Sequence, residues 1–370
     1  MIERNEAVFT DKIMTDDMTS TGVLSIIVPV LNELNELPHF FNNLARQEDV
    51  AFELLICDGG STDGTLEWLE KQQDIWAQLR ILRGPSGRAR QLNQGVDHAV
   101  NDWLLLLHVD SRFNDTMALR NALDRMIELP GFSVAGHFSL CFRREQDEPS
   151  LSYYFYEWKA RTGFDETIHG DQGFLLHRTL AVNVGPFDER LMVMEDTDFS
   201  DRLRKVGQWQ LLTEKISTSA RRFEIEGLWQ RQLLGALMMC FRSIGWNAFF
   251  EASSGVYRQQ SQADRLKVLP FFELVRELMK ECTFFERWRL WYASGSYVRR
   301  HCWQLFFSVD ARLAFRSGEK VGHGKTVCLD FLQPLCAFLT DNFLGRICAT
   351  LLLRSWFEIT RGWLKRKENG

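Results

Sequence analysis

Four stretches of this chain put acids, or a glycine turn followed by bases, where chemistry could be done. In Cys57-Asp-Gly-Gly-Ser-Thr-Asp-Gly-Thr65 a carboxylate leaves an apolar run and enters a turn whose glycines permit positive φ. Ser61 or Thr62 can cap a helix after that turn, so a plain strand-turn-helix would use the same residues. A carboxylate at such a strand end can instead hold a nucleobase or ribose, as acids do in nucleotide-binding α/β folds. Gly84-Pro-Ser-Gly87 opens a segment with Arg88 and Arg90. Free backbone N–H groups at such a helix start suit an anion, although a solvated basic face looks the same. Asp110 closes the apolar run Trp103–Val109. Glu195-Asp196 stand where a helix begins, and two acids there suit the helix dipole.

These residues need a scaffold, and the hydrophobic pattern supplies one. Leu24–Val30, Glu53–Cys57 and Trp103–Val109 read as buried strands, and Arg80–Arg83 as a short third strand. Helices are expected over Leu37–Arg46, from Thr65 and from the 84–87 turn to about Val100. Repeated β-α units imply an α/β fold with a mostly parallel sheet flanked by helices. Ligands of such sheets bind beyond the carboxyl ends of the strands. Asn32, Glu33, Asp58, the 84–90 loop and Asp110 all fall at those ends. Further on, strands are expected over Val134–Phe142, Gly173–His177 and Gln208–Leu212, and helices over 151–161 and Asp196–Val206. Beyond Gly227 the pattern turns helical. The expected organisation is a polar tail over 1–22, an α/β domain over 23–228 and a helical region over 229–370.

Five motifs in order, Pro29-Val-Leu-Asn-Glu33, Asp58 to Gly64, His108-Val-Asp110, Glu195-Asp196 and Asp201 to Gly207, resemble the family 2 glycosyltransferases of the GT-A (Rossmann-like) fold. Gly87 to Gly95, Gly170-Asp-Gln and Thr218-Ser-Ala-Arg-Arg resemble the subgroup labelled arsenosugar-biosynthesis glycosyltransferases. The resemblance spans about 23–245. It implies that Pro29, Asn32 and Glu33 border a nucleotide pocket, that Asp58 accepts from the base (typically uracil), and that Arg88 and Asn93 contact the nucleotide. It places Asp110 at the family's D-x-D motif, which holds Mg²⁺ or Mn²⁺ against the diphosphate of the donor. His108 stands where the family commonly has a carboxylate, leaving open whether it ligates the metal, touches ribose or only ends the strand. The resemblance makes Asp196 the general base, with Glu195 positioning the acceptor. It puts Asp171 and Gln172 on the sugar or acceptor side, and Arg221 and Arg222 on the diphosphate or in a surface cluster.

Composition narrows the classes. A net charge of −5 argues against a binder of nucleic acid through phosphate contacts. Residues 229–370 nevertheless carry 21 basic against 12 acidic residues. The eight cysteines form no C-x-x-C pair and are expected to be reduced and mostly buried, as in a cytoplasmic protein. No signal peptide is expected in the polar N-terminus, and no apolar run reaches the roughly 20 residues of a membrane span. Gly318 to Thr326 imitates a P-loop with the wrong glycine spacing and no preceding strand, so a loop between helices is expected. Apolar stripes in the last third, such as Leu266/Phe272/Val275/Met279 and Phe331/Leu335/Phe338, suit either the core of a helical cap or a membrane interface presenting a lipid-linked acceptor.

The resulting expectation is a metal-dependent, inverting glycosyltransferase with a nucleotide-diphosphate sugar donor and a hydroxyl acceptor, in the cytoplasm or at the inner membrane face. The rival is a non-catalytic nucleotide-sugar-binding or scaffold protein whose His108 marks a degraded metal motif.

Overall fold

The computed structural model describes residues 24–146, 148–258 and 265–369; the expected N-terminal tail lies outside the described residues. They form two compact units. One takes the chain up to Cys141 together with Ala160–Thr218; the other takes Phe142–Lys159 and everything from Ser219. The division thus falls about ten residues before the expected boundary, and a short central segment joins the C-terminal unit.

The first unit is built on an eight-stranded sheet of order β3-β2-β1-β4-β7-β6-β8-β5. Its strands are β1 (Leu24–Val30), β2 (Phe52–Asp58), β3 (Leu79–Arg83), β4 (Trp103–Leu106), β5 (Arg112–Phe113), β6 (Val134–Arg143), β7 (Phe174–His177) and β8 (Gln208–Ser219). The first four pair in parallel, whereas β7 runs antiparallel to both β4 and β6, and β5 antiparallel to β8. The sheet is therefore mixed: a parallel half made by β-α crossovers and an antiparallel half made by returns of the chain. Helices α1 (Leu37–Ala45), α2 (Thr65–Gln73), α3 (Arg88–His98), α4 (Ala118–Glu128), α6 (Arg178–Val184) and α7 (Glu195–Val206) accompany it.

β4 is shorter than its apolar run. Leu107 still donates to the Ile27 carbonyl, and then the chain leaves the ladder. That early exit releases His108 and Asp110 from strand geometry. The side chain of Gln91, on α3, is buried and donates to the carbonyls of both Val30 and Cys57 at 2.7 Å, tying the ends of β1 and β2 to the helix.

The second unit is helical: α5 (Leu151–Lys159), α8 (Arg221–Glu226), α9 (Leu228–Ser243), α10 (Asn247–Arg258), α11 (Leu269–Glu281), α12 (Phe284–Arg300), α13 (Trp303–Arg316), α14 (Val327–Thr340) and α15 (Phe343–Asn369). Its core gathers Leu234, Phe249, Phe272, Val275 and Phe357, so the expected 266–279 stripe is core. Phe155 and Trp158 of α5 pack on Phe307 of α13. The false P-loop is a connection between α13 and α14. The core reading fails for the later stripes. Phe331, Leu335 and Phe338 are exposed, as are Leu344, Leu351 and Leu352. The expectation of mostly buried cysteines also needs correcting: only Cys57 and Cys240 of the eight are buried, because several sit on helices whose apolar faces stay open.

Gly95 gives the fold a sharp test. A Cβ there would lie 2.2 Å from Ile27 Cγ2 and 3.0 Å from Cys57 Sγ, both in the sheet core. Gly95→Ala should gain about 1 kcal/mol of helix propensity and lose about 1–3 kcal/mol to overpacking. The rigid, buried β-branched neighbour decides for a net loss. Urea unfolding checks this, and a variant as stable as wild type would mean that α3 can lift from the sheet freely.

Candidate active site

The carboxyl edge of the parallel strands collects the acids that the sequence singled out. β2 ends in Asp58, whose buried carboxylate accepts the backbone N–H of Gly60 at 3.0 Å and of Ser61 at 3.2 Å. The loop after β1 is locked to the same turn. Asn32, in left-handed backbone (φ 57°), accepts from Thr62 N–H through Oδ1, while its own N–H donates to Ser61 Oγ. Glu33 N–H donates to Thr65 Oγ1, and Pro29 lies opposite Cys57 in the ladder. Asp58 and Asn32 thus already spend polar atoms on shaping this corner.

A small cleft is lined by Arg88, Leu92, His108, Gly170, Phe187 and Asp196. Arg88 is at the start of α3, where the glycine turn leaves backbone N–H groups without helical partners. Its guanidinium lies 3.5 Å from Glu195 Oε1. Asn93 turns elsewhere: it donates to the Phe187 carbonyl and accepts from Phe187 N–H, pinning the 186–189 loop to α3. Asp110 accepts from the Thr218 hydroxyl at 2.9 Å. Gln172 is buried, with Nε2 donating to the Thr167 carbonyl and Oε1 accepting from His137 Nδ1 at 2.7 Å. This is a supporting position rather than a lining one. Burial holds His137 down at about 4, so the ring is neutral there. Arg221 and Arg222 are exposed and belong to the helical unit.

Glu195 and Asp196 begin α7 directly after Met194, a non-glycine residue in left-handed backbone (φ 66°). Such a conformation costs roughly 1–2 kcal/mol and tends to be kept where function needs a particular chain direction. Asp196 Oδ2 accepts from Gly170 N–H and Oδ1 from Thr197 N–H, both at 2.7 Å. A Cβ on Gly170 would lie 2.9 Å from His108 Nε2 and 3.3 Å from Asp196 Cβ, so a side chain there would displace the His108 ring. Burial opposes ionisation of Asp196, but His169, the Gly170 N–H, Arg88 and His108 together hold its carboxyl below the usual range. Glu195 goes the other way: burial and the neighbouring Asp196 carboxylate raise it against the pull of Arg88. Burial likewise pushes Asp171 up to about 6; His169 opposes this and the Asp196 and Asp110 carboxylates add to it.

His169, Thr218 and Gln91 are the residues that motif reading missed as parts of the site. Gln91 and Thr218 lie inside recognised motifs, which is the signal that could have found them; His169 stands next to one.

Among the described residues no three His, Cys, Asp or Glu side chains gather into a ready-made metal cage. A hard cation held chiefly by a diphosphate does not need one, since one or two carboxylates and water complete its shell. Asp110 offers such a carboxylate, and Asp171 Oδ1 is buried without a hydrogen-bond partner. Those oxygens fit a magnesium- or manganese-like ion.

Asp171 has a measurable consequence. Its folded pKa lies above the ordinary 3.8, so its neutral form is favoured in the native state. The stability it contributes is present below about pH 4 and is lost as pH rises to about 6 and beyond. Asp171→Asn should therefore be more stable than wild type at neutral pH, by on the order of 1–3 kcal/mol, with the gap closing in acid. Melting temperatures of both proteins across pH, in chelator, decide it. An Asn variant that is less stable at every pH would show that the carboxylate has a favourable partner.

Comparison with known proteins puts names beside this geometry. Residues 25–181 match the family model described as Glycosyl transferase family 2. Over 194 residues the chain is 29% identical to the PGL/p-HBAD biosynthesis glycosyltransferase of Mycobacterium tuberculosis, covering 49% of this chain and 69% of that protein. Over 101 residues it is 27% identical to the uncharacterized glycosyltransferase YibD of Escherichia coli, covering 27% of this chain and 29% of that protein. Among solved structures, a mannosyltransferase of Pyrobaculum calidifontis in complex with GDP-Man and Mn²⁺ aligns over 98% of this chain and 92% of its own, at TM-score 0.48 and 17% identity. S. aureus TarS 1-349 aligns over 90% of this chain and 91% of its own, at TM-score 0.46 and 14% identity. The segment 25–181, which carries β1 to β4 and the turns at their ends, is similar to the Glycosyl transferase family 2 model.

Proposed function

We propose that the protein is a glycosyltransferase that moves a sugar from a nucleotide-diphosphate sugar, UDP-linked, to a hydroxyl acceptor with inversion at the anomeric carbon. The observation that carries this reading is Asp196: a carboxylate kept ionised although buried, at the lining of the cleft it shares with Arg88 and His108. The family match over 25–181 supports the reaction class. The arsenosugar-type subgroup, resting on the 87–95, 170–172 and 218–222 motifs, is the narrower form of the reading.

In this reading the Asp58–Gly64 corner receives the base, and Arg88 at the start of α3 meets the diphosphate. Asp196 accepts the proton of the acceptor hydroxyl as its oxygen bonds to the anomeric carbon. The bond from that carbon to the diphosphate oxygen breaks on the opposite face, and the electron pair leaves with the nucleoside diphosphate. Glu195, with its raised proton affinity, positions the acceptor by hydrogen bonding. When bound, a divalent cation supplies charge neutralisation on the leaving diphosphate, and Asp110 is the residue that would hold it. An acceptor on a lipid anchor is the form of this reading that the basic helical unit favours.

Two sets of variants test it. Asn keeps the shape of Asp but cannot take the proton, so Asp196→Asn should lower turnover by about 10² to 10⁴ with donor affinity near wild type. Preserved turnover per folded molecule would remove Asp196 as base and leave it a helix-start residue. Asp110→Ala should abolish the Mn²⁺-dependent part of the thermal shift produced by UDP-sugars, and His108→Ala should reduce it less. Equal losses would make His108 a ligand. A protein that binds nucleotide sugars yet neither transfers nor hydrolyses them would be the non-catalytic binder instead.

A further inference from the structure

No single described helix is long and apolar enough to cross a membrane; α14 and the adjoining part of α15 pass that test only together, and they meet at 105°. At 1.5 Å per residue the 14 residues of α14 reach only ~21 Å, short of a bilayer core of about 30 Å. Yet much of the pair's apolar surface stays outside the protein. On α14, Phe331 is 74% and Phe338 84% exposed, and Leu329 is its one buried residue among those described. On α15, Leu344 is 71%, Leu352 72% and Ile359 72% exposed. Phe331, Leu335 and Phe338 follow helical spacing, as do Leu344, Leu351, Leu352 and Ile359, so each helix shows solvent a continuous apolar stripe. Water-exposed patches of this kind mark a surface that meets something apolar.

We infer that the α14–α15 elbow is a membrane-seating surface, lying in the interface of an anionic lipid leaflet with its apolar stripes among the acyl chains. Charge argues for lipid over a second copy of the chain. Arg354, Lys365, Arg366 and Lys367 are exposed on α15. The region 229–370 has an excess of nine positive charges, so two copies would repel where an anionic surface attracts. Trp356 and Trp363, 42% and 48% exposed, are the amphipathic rings that favour the headgroup level. Pro334 lies inside α14, and the sharp bend denies a partner helix a straight seam. The seating depends on neither the donor nor the transfer chemistry.

Flotation of the full-length protein with phosphatidylcholine vesicles, with and without phosphatidylglycerol, is the test. Wild type should float with the anionic vesicles at low salt and less at high salt. Phe338→Glu/Leu344→Glu should lower the floated fraction by about tenfold or more at an unchanged melting temperature, since both side chains are exposed. Val182→Glu, changing an equally exposed residue of the α/β unit, should float as wild type. No flotation of wild type, or equal flotation of the double variant, overturns the proposal. So does a dimer in light scattering that the double variant dissolves without any vesicle binding. Nucleotide-induced thermal shifts measured on the same variants keep this outcome separate from that of the transferase reading.

Discussion

Packing carboxyl groups together at one end of a sheet is the constraint on which the rest of the site depends. Asp110, Asp171, Glu195 and Asp196 influence one another electrostatically, and few cations stand against them. Two carboxylates about 4 Å apart repel by about 4 kcal/mol in surroundings typical of a protein surface, so such a group does not ionise uniformly. Here the load is divided. His169, Arg88 and a backbone N–H keep Asp196 charged, while burial pushes Glu195 and Asp171 towards their protonated forms. Environments that drive neighbouring acids apart are what allow one to accept a proton while another donates a hydrogen bond. The strained Met194, the bare Gly170 and the early exit of β4 all serve that division by placing the four groups.

Much of this was legible from residue order. β1 was readable to the residue, because Leu24–Val30 is a short run rich in Ile and Val and almost wholly buried. The acids at the strand ends were also readable, since a carboxylate directly after such a run has nowhere to go but the sheet edge. What hydrophobicity could not show is where pairing stops. Leu107 and Val109 are as apolar as the strand before them and equally buried, but the last ladder bond is the one from Leu107 to Ile27. Nor could type and spacing separate a residue that meets ligand from one that braces its neighbour. Asn93 and Gln172 look like ligand contacts in a motif, and in the structure their amides hold a loop and a histidine. The second half of the sheet was only partly foreseen, as returns of the chain leave weaker periodicity than β-α crossovers do.

The helical unit shows the limit of reading stripes. Leu266, Phe272, Val275 and Met279 follow the same spacing as Phe331, Leu335 and Phe338, yet the first set is core and the second is bare. The spacing reports only that one face is apolar. What covers it is set by the other helices of the chain, or by nothing in the chain at all. Gly295 of α12 makes the difference concrete. It lets the backbone of Thr350 come close enough that a Cβ would meet its Cα at 2.5 Å, so one side of α15 is fastened while its other side stays open.

Helix α3 is fastened along its length: Gln91 grips two strand carbonyls, Asn93 grips the 187 backbone and Gly95 sits flush on Ile27. Its middle turns therefore have no small opening motion available, because lifting any one of them breaks contacts of the sheet core. In the language of amide hydrogen exchange, those N–H groups trade with solvent only when the whole unit opens. The turn ahead of them is tied in as well, with Gly84 N–H donating to the Asp58 carbonyl and Gln94 Nε2 to the Arg83 carbonyl. A ligand meeting Arg88 would thus encounter a stationary post.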